Sequence, residues 1–82
     1  MTLLIPRPFF INGEVEKPGG YPFQPGLTIS KAAALAEGLT ERASESKIFI
    51  IRASDTSQAR VKAAMQTQLH PGDVVTIEQG FF

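Results

Sequence analysis

The groups able to do chemistry are few. One histidine and no cysteine are present, which excludes disulfides, thiolate nucleophiles and thiolate metal sites and makes a zinc site improbable. His70 precedes Pro71 in a turn, and only Asp73, three residues on, stands near it in sequence. A catalytic histidine needs a partner placed within hydrogen-bond reach, so His70 is read as a turn or surface residue. Glu14 and Glu16 alternate, which would set two carboxylates on one strand face. Paired carboxylates can cleave glycosidic bonds, but a solvated face explains them with less. Gly13, Gly19, Gly20, Gly26, Gly38 and Gly72 fit neither phosphate-loop nor dinucleotide spacing. No catalytic, cofactor-binding or metal-ligating residue is therefore assigned. Binding chemistry remains: Tyr21 and Phe23 lie beside turn residues, where flat rings can stack on sugars or anchor a protein partner. Glu16, Lys17 and Arg52 are the charges expected around them, and packing beneath a hairpin is the structural alternative. Arg52 closes the most apolar run and either pairs with Glu37 or Glu45 or faces a partner. Asp73 is expected to cap its own turn through a backbone N–H two residues on.

These groups must be positioned by a small set of elements. Pro6 and Pro8 keep the start extended. Phe9, Phe10, Ile11 and Asn12 read as strand, and Gly13 inside the run signals a bulge or a close backbone approach. Lys17-Pro18-Gly19-Gly20 reads as a turn and Tyr21-Pro22-Phe23 as a short return strand, so the chain opens with a hairpin. Thr28 is an N-cap, with Leu27 placed to staple onto Ala32. Ile29, Ala32, Ala33 and Ala36 form the apolar face of a helix of about nine residues. Gly38 reads as its left-handed C′ residue, with positive φ, and Leu39 as the hydrophobic contact beyond it. Ile48, Phe49, Ile50 and Ile51 read as a central strand buried on both faces or nearly so. Residues 60–65 are ambiguous: Val61, Ala63 and Met65 alternate as in a strand, whereas alanine and glutamine tolerate helix, and strand is favoured. Pro71-Gly72-Asp73 turns into a last strand over residues 74–78. The order is β-β-α-β-(β)-β, an α+β fold with one helix across a mixed sheet of four to five strands. Ile29, Ala33, Leu35, Ile48, Ile50, Val74 and Ile77 are expected in its core.

The chain has 82 residues, enough for one domain with a modest core. Eight basic and eight acidic residues cancel, so the basic footprint that nucleic acid or anionic lipid requires is missing. The apolar runs fall far short of the ~20 residues that span a bilayer. Residues 1–8 read as an N-terminal extension, 9–78 as the domain, and 79–82 as an end cut from a longer chain.

Four segments, in order, resemble the soluble-ligand-binding β-grasp (SLBB) domain. They are Phe10-Ile11-Asn12-Gly13-Glu14-Val15 with Lys17-Pro18-Gly19 and Tyr21; Leu35-Ala36-Glu37-Gly38-Leu39; the strand over residues 48–52 that closes in arginine; and Leu69 with Pro71-Gly72-Asp73-Val74-Val75. Glu37 departs from the pattern, which has glycine there. The resemblance implies a β-grasp sheet. It also implies a non-catalytic module of a bacterial capsule or exopolysaccharide export protein, periplasmic and part of an outer-membrane-associated assembly. Such modules help build rings around the polysaccharide path. The partners implied are other copies of the parent protein, other export components, and polysaccharide itself, with no cofactor. Related domains occur in electron-transfer subunits and in vitamin-B12-binding transport proteins, so a small-ligand-binding module holding a saccharide or cofactor in a surface groove is the alternative. A glycan hydrolase comes last, because no paired catalytic group stands out.

Overall fold

The computed structural model describes residues 7–53, 56–57 and 59–80. Its elements are β1 (Phe9–Gly13), β2 (Gly19–Tyr21), α1 (Ile29–Leu35), β3 (Ala43–Ile51), β4 (Val61–Ala63) and β5 (Val74–Gln79). The five strands form one mixed sheet in the order β2-β1-β5-β3-β4. β1 and β5 run parallel side by side, while β2 on β1, β3 on β5 and β4 on β3 are antiparallel. This is the β-grasp arrangement, with the helix across one face.

Alternation within the strands selects that face. Phe9 and Ile11 of β1, Val75 and Ile77 of β5, and Ile48 and Ile50 of β3 are buried and meet Ile29, Ala32 and Ala36 of the helical segment. Each large aliphatic side chain buried this way contributes about 1.5–3 kcal/mol. The seven-residue helix is too short to persist alone, so its stability is tertiary. The small alanines let it lie close on the sheet. Leu35, expected in the core, is instead exposed, because the helix turns its Ala32, Ala33 and Ala36 stripe inward. Val74 is only half-buried, since its side chain points to the face that the helix leaves open. Phe49 and Ile51 lie on that open face as well and are half-buried. Hence the apolar run over residues 48–51 of β3 is fully buried on one side only, and it sits next to the edge strand β4.

Both helix ends are closed as local chemistry requires. Thr28 Oγ1 accepts from the Lys31 N–H at 3.3 Å. The next orphan donors, Ile29 N and Ser30 N, reach the carbonyls of Thr67 and Met65 at 3.0 and 2.9 Å, so the segment after β4 covers the helix start. At the other end Gly38 N donates to Ala33 O at 2.8 Å and Glu37 N to Ala34 O at 3.0 Å. This is the Schellman pattern with Ala36 as C-cap. The C′ residue is therefore Glu37, at φ 66°, and Gly38, at φ 98°, is one position further on. Gly38 has the expected positive φ, but the helix ends a residue earlier than its glycine suggested.

The hairpin also differs from its sequence reading. Gly19 and Gly20 belong to β2, Phe23 lies outside it, and the loop runs over residues 14–18. That loop is held from outside: Glu16 N and Lys17 N donate to Gly38 O and Ala36 O, both at 2.9 Å, and Val15 bridges Leu39. β2 stops at Tyr21 because Pro22 has no N–H to donate. Gly13 makes the close approach its place in the strand implied. A Cβ there would lie 2.2 Å from Ile77 O, and that carbonyl is fixed by the Glu14 N–H at 2.8 Å.

Candidate functional site

The side chains singled out from the sequence fall into two regions. Lys17, Tyr21 and Phe23 gather near the hairpin. The Tyr21 ring stacks on Phe9 with centroids 6.0 Å apart, and its hydroxyl donates to the Lys17 carbonyl. Tyr21 and Phe23 are half-buried and pack against the core. Lys17 Nζ sits 3.0 Å from Glu37 Oε2, with both side chains exposed, a pair worth little in water. The open rim of this region is β2, an edge strand with unpaired backbone groups, beside exposed Phe10.

Glu16 turns away from the rings toward a polar cleft of about 430 Å³ that it lines with Glu14, Thr40, Glu41 and Arg42. Glu14 and Glu16 thus share a cleft rather than a strand face, because β1 ends at Gly13. Glu14 is half-buried and accepts from the Thr40 hydroxyl at 2.8 Å. Among the described residues, no three histidine, aspartate or glutamate side chains converge as metal ligands.

Arg52 is not beside the hairpin. β1 and β5 lie between β2 and β3, which at strand spacing puts Arg52 roughly 14 Å from Tyr21. It pairs with neither Glu37 nor Glu45. Its Nη1 donates to Asp73 Oδ2 at 2.7 Å and to Gln68 O at 3.0 Å, and contacts His70 Nδ1 at 3.1 Å. The cause is register: Ile51 pairs with Val74, so the residues next to them meet. Asp73 is almost fully buried. Its Oδ2 also accepts from His70 N at 2.9 Å, and Oδ1 accepts from Ala53 N at 3.0 Å. It therefore ties its turn backward to His70 and across to the end of β3, and does not cap forward as expected. The turn itself closes through Asp73 N and His70 O at 3.1 Å, with Gly72 at φ 85°. His70 is exposed, and its ring faces Arg52.

A second cleft, of about 240 Å³, opens beside this cluster and is lined by Arg7, Ile51, Arg52, Ala53, Gly72 and Val74. Arg7 was not singled out from the sequence. Its neighbours Pro6 and Pro8 marked only an extended start, and nothing local tied it to residues 51–53 or 72–74.

The SLBB domain profile matches residues 7–77. The chain belongs to this family. Over 60 residues it is also 42% identical to the exopolysaccharide production protein ExoF of Rhizobium meliloti (strain 1021). That match covers 73% of this chain and 13% of the relative, so the chain spans a small part of that protein's length. Three residues within the matched range have structural work in this fold: Gly13 admits the Ile77 carbonyl, Gly72 forms the turn, and Asp73 holds the Arg52 cluster. No helix among the described residues is long and apolar enough to cross a membrane.

Proposed function

We propose that this SLBB domain is a non-catalytic module of a bacterial capsule or exopolysaccharide export protein. It contributes to a periplasmic ring around the polysaccharide path, within an outer-membrane-associated assembly. The observation that carries this reading is the 42% identity, across most of the chain, to a protein named for exopolysaccharide production. Its partners are copies of the parent protein or other export components, and its contacts run through the hairpin edge. The open strand β2, exposed Phe10 and the Tyr21 region with Lys17 support that choice. With formal charge zero, such contacts rest on local complementarity rather than bulk attraction.

The test is removal of the segment equivalent to residues 7–77 from the parent protein in a polysaccharide-secreting bacterium, with parent protein levels monitored. Secreted polysaccharide should fall while polymerised material accumulates inside the cell envelope. Unchanged secretion at normal protein levels would overturn the reading. The alternative, a small-ligand-binding module holding a saccharide or cofactor in a surface groove, is favoured by one observation, the cleft that includes Arg7 and Arg52.

A further inference from the structure

The smaller cleft has an unusual charge arrangement. β5 lies between β1 and β3, Arg7 just precedes β1, and Arg52 just follows β3. Two guanidinium groups thus flank the start of β5, over Gly72. A Cβ on Gly72 would stand 3.0 Å from Arg7 Nη2 and 3.1 Å from Arg7 Cζ. The missing side chain is what lets the Arg7 guanidinium lie against the backbone there. Among the described residues no hydrogen bond or ion pair engages Arg7. The hydrogen bonds that Arg52 makes among them all use Nη1, which leaves the Nη2 and Nε edge of its planar fork. Asp73 lies behind, with both oxygens occupied, and offsets one of the two cations. Among the described residues that line the cleft or bond to its arginines, Asp73 is the one carboxylate, against two guanidinium groups.

We infer that this cleft binds the carboxylate of an acidic sugar residue. Planar guanidinium forks match a carboxylate in geometry and charge. Asp73, Gln68 and His70 hold the Arg52 fork in place, so little freedom is lost when a ligand arrives. Ile51, Ala53 and Val74 give an apolar wall for the C–H face of the ring. The cleft lies below the ~300–1,000 Å³ of pockets that enclose drug-sized ligands, which suits one sugar residue of a longer chain and not a whole cofactor. The saccharide part of this assignment rests on the export reading; the carboxylate part rests on the two arginines.

The experiment is an NMR titration of the 82-residue chain with trigalacturonate, with maltotriose as the neutral control and inorganic phosphate as an anion without a sugar. Trigalacturonate should shift the amides of Ala53, Gly72 and Val74 saturably. Losing one charge-assisted contact should weaken binding about ten-fold in Arg7→Gln, with part of the affinity restored in Arg7→Lys. Arg7 is exposed, so an unchanged thermal melt should confirm that the variant folds. Maltotriose should leave these amides unmoved, and phosphate should bind far more weakly. Absence of saturable shifts, affinity indifferent to Arg7→Gln, or phosphate binding as tightly as trigalacturonate would each overturn the assignment. Maltotriose shifting these same amides as strongly as trigalacturonate would overturn the carboxylate assignment while leaving the export reading intact. That reading stands or falls on the secretion experiment alone.

Discussion

Removing the Asp73 carboxylate is expected to be the most damaging polar substitution in this domain. The side chain is 1% exposed and accepts from Arg52 Nη1, His70 N and Ala53 N at 2.7, 2.9 and 3.0 Å. Asp73→Ala leaves two backbone donors without an acceptor. A stranded buried donor costs about 1–3 kcal/mol. His70 and Ala53 are exposed residues that water can reach, so the lower end applies to each. Breaking a fully buried ion pair costs about 3–5 kcal/mol. The Arg52 side chain is 29% exposed and keeps its contacts to Gln68 and His70, so about 1 kcal/mol is the better figure for its share. The total is about 3 kcal/mol, a large part of the ~4–12 kcal/mol expected for a domain of this size. In urea, with a slope of about 1 kcal/mol per molar for so small a domain, the midpoint should fall by roughly 3 M. The thermal midpoint should fall by roughly 12–24 °C. Asp73→Asn should cost less, because one acceptor survives. Arg52→Ala should cost least, because the carboxylate keeps two N–H donors. Urea melts of the three variants followed by circular dichroism check the order. An Asp73→Ala protein within ~0.5 kcal/mol of wild type, or Arg52→Ala as the worst of the three, would refute the reasoning.

Gly13→Ala should destabilise by about 2–4 kcal/mol in the same melts, since φ is 93° and the new Cβ would meet Ile77 O, which the Glu14 N–H holds in place. Gly38→Ala should cost only about 1 kcal/mol, because its φ of 98° is strained for alanine but open space surrounds the site. Glu37→Gly should instead stabilise, by about 0.5–1 kcal/mol, by relieving the left-handed strain at C′ at the expense of a weak surface pair with Lys17; a less stable variant would contradict the cap geometry. In sedimentation at rising concentration the isolated domain should be a monomer or weak self-associate, and Tyr21→Ala should reduce whatever association occurs; a tight oligomer indifferent to Tyr21 would refute the hairpin contact.

Much of the fold was legible because its signals are local. Thr28 before an apolar stripe, Gly38 after it, the alternation in Phe9 and Ile11, and Pro71-Gly72 before Val74 each act within about one turn or a few strand positions. The ambiguous segment around Val61 resolved as strand because Val61, Lys62 and Ala63 find partners in Ile50, Phe49 and Ile48. Misplacements arose where distant groups competed. The hairpin loop lengthened because Glu16 and Lys17 donate to the helix end, and Leu35 lost its place in the core to the alanine stripe.

The candidate sites divide the same way. The sequence by itself determined that no thiol is present, that the formal charges cancel, and that strands, turn glycines and a helix of small residues make an α+β fold. It pointed to Tyr21 and Arg52, yet not to what either touches. Only the tertiary structure decided that Arg52 meets Asp73, 21 residues away, and that Arg7 reaches Gly72 to complete a cationic cleft. The reason is that the parallel pairing of β1 with β5, and the register of β5 on β3, bring three chain segments to one end of the sheet. Local preference carries no record of such a meeting; it exists only once the strands are paired.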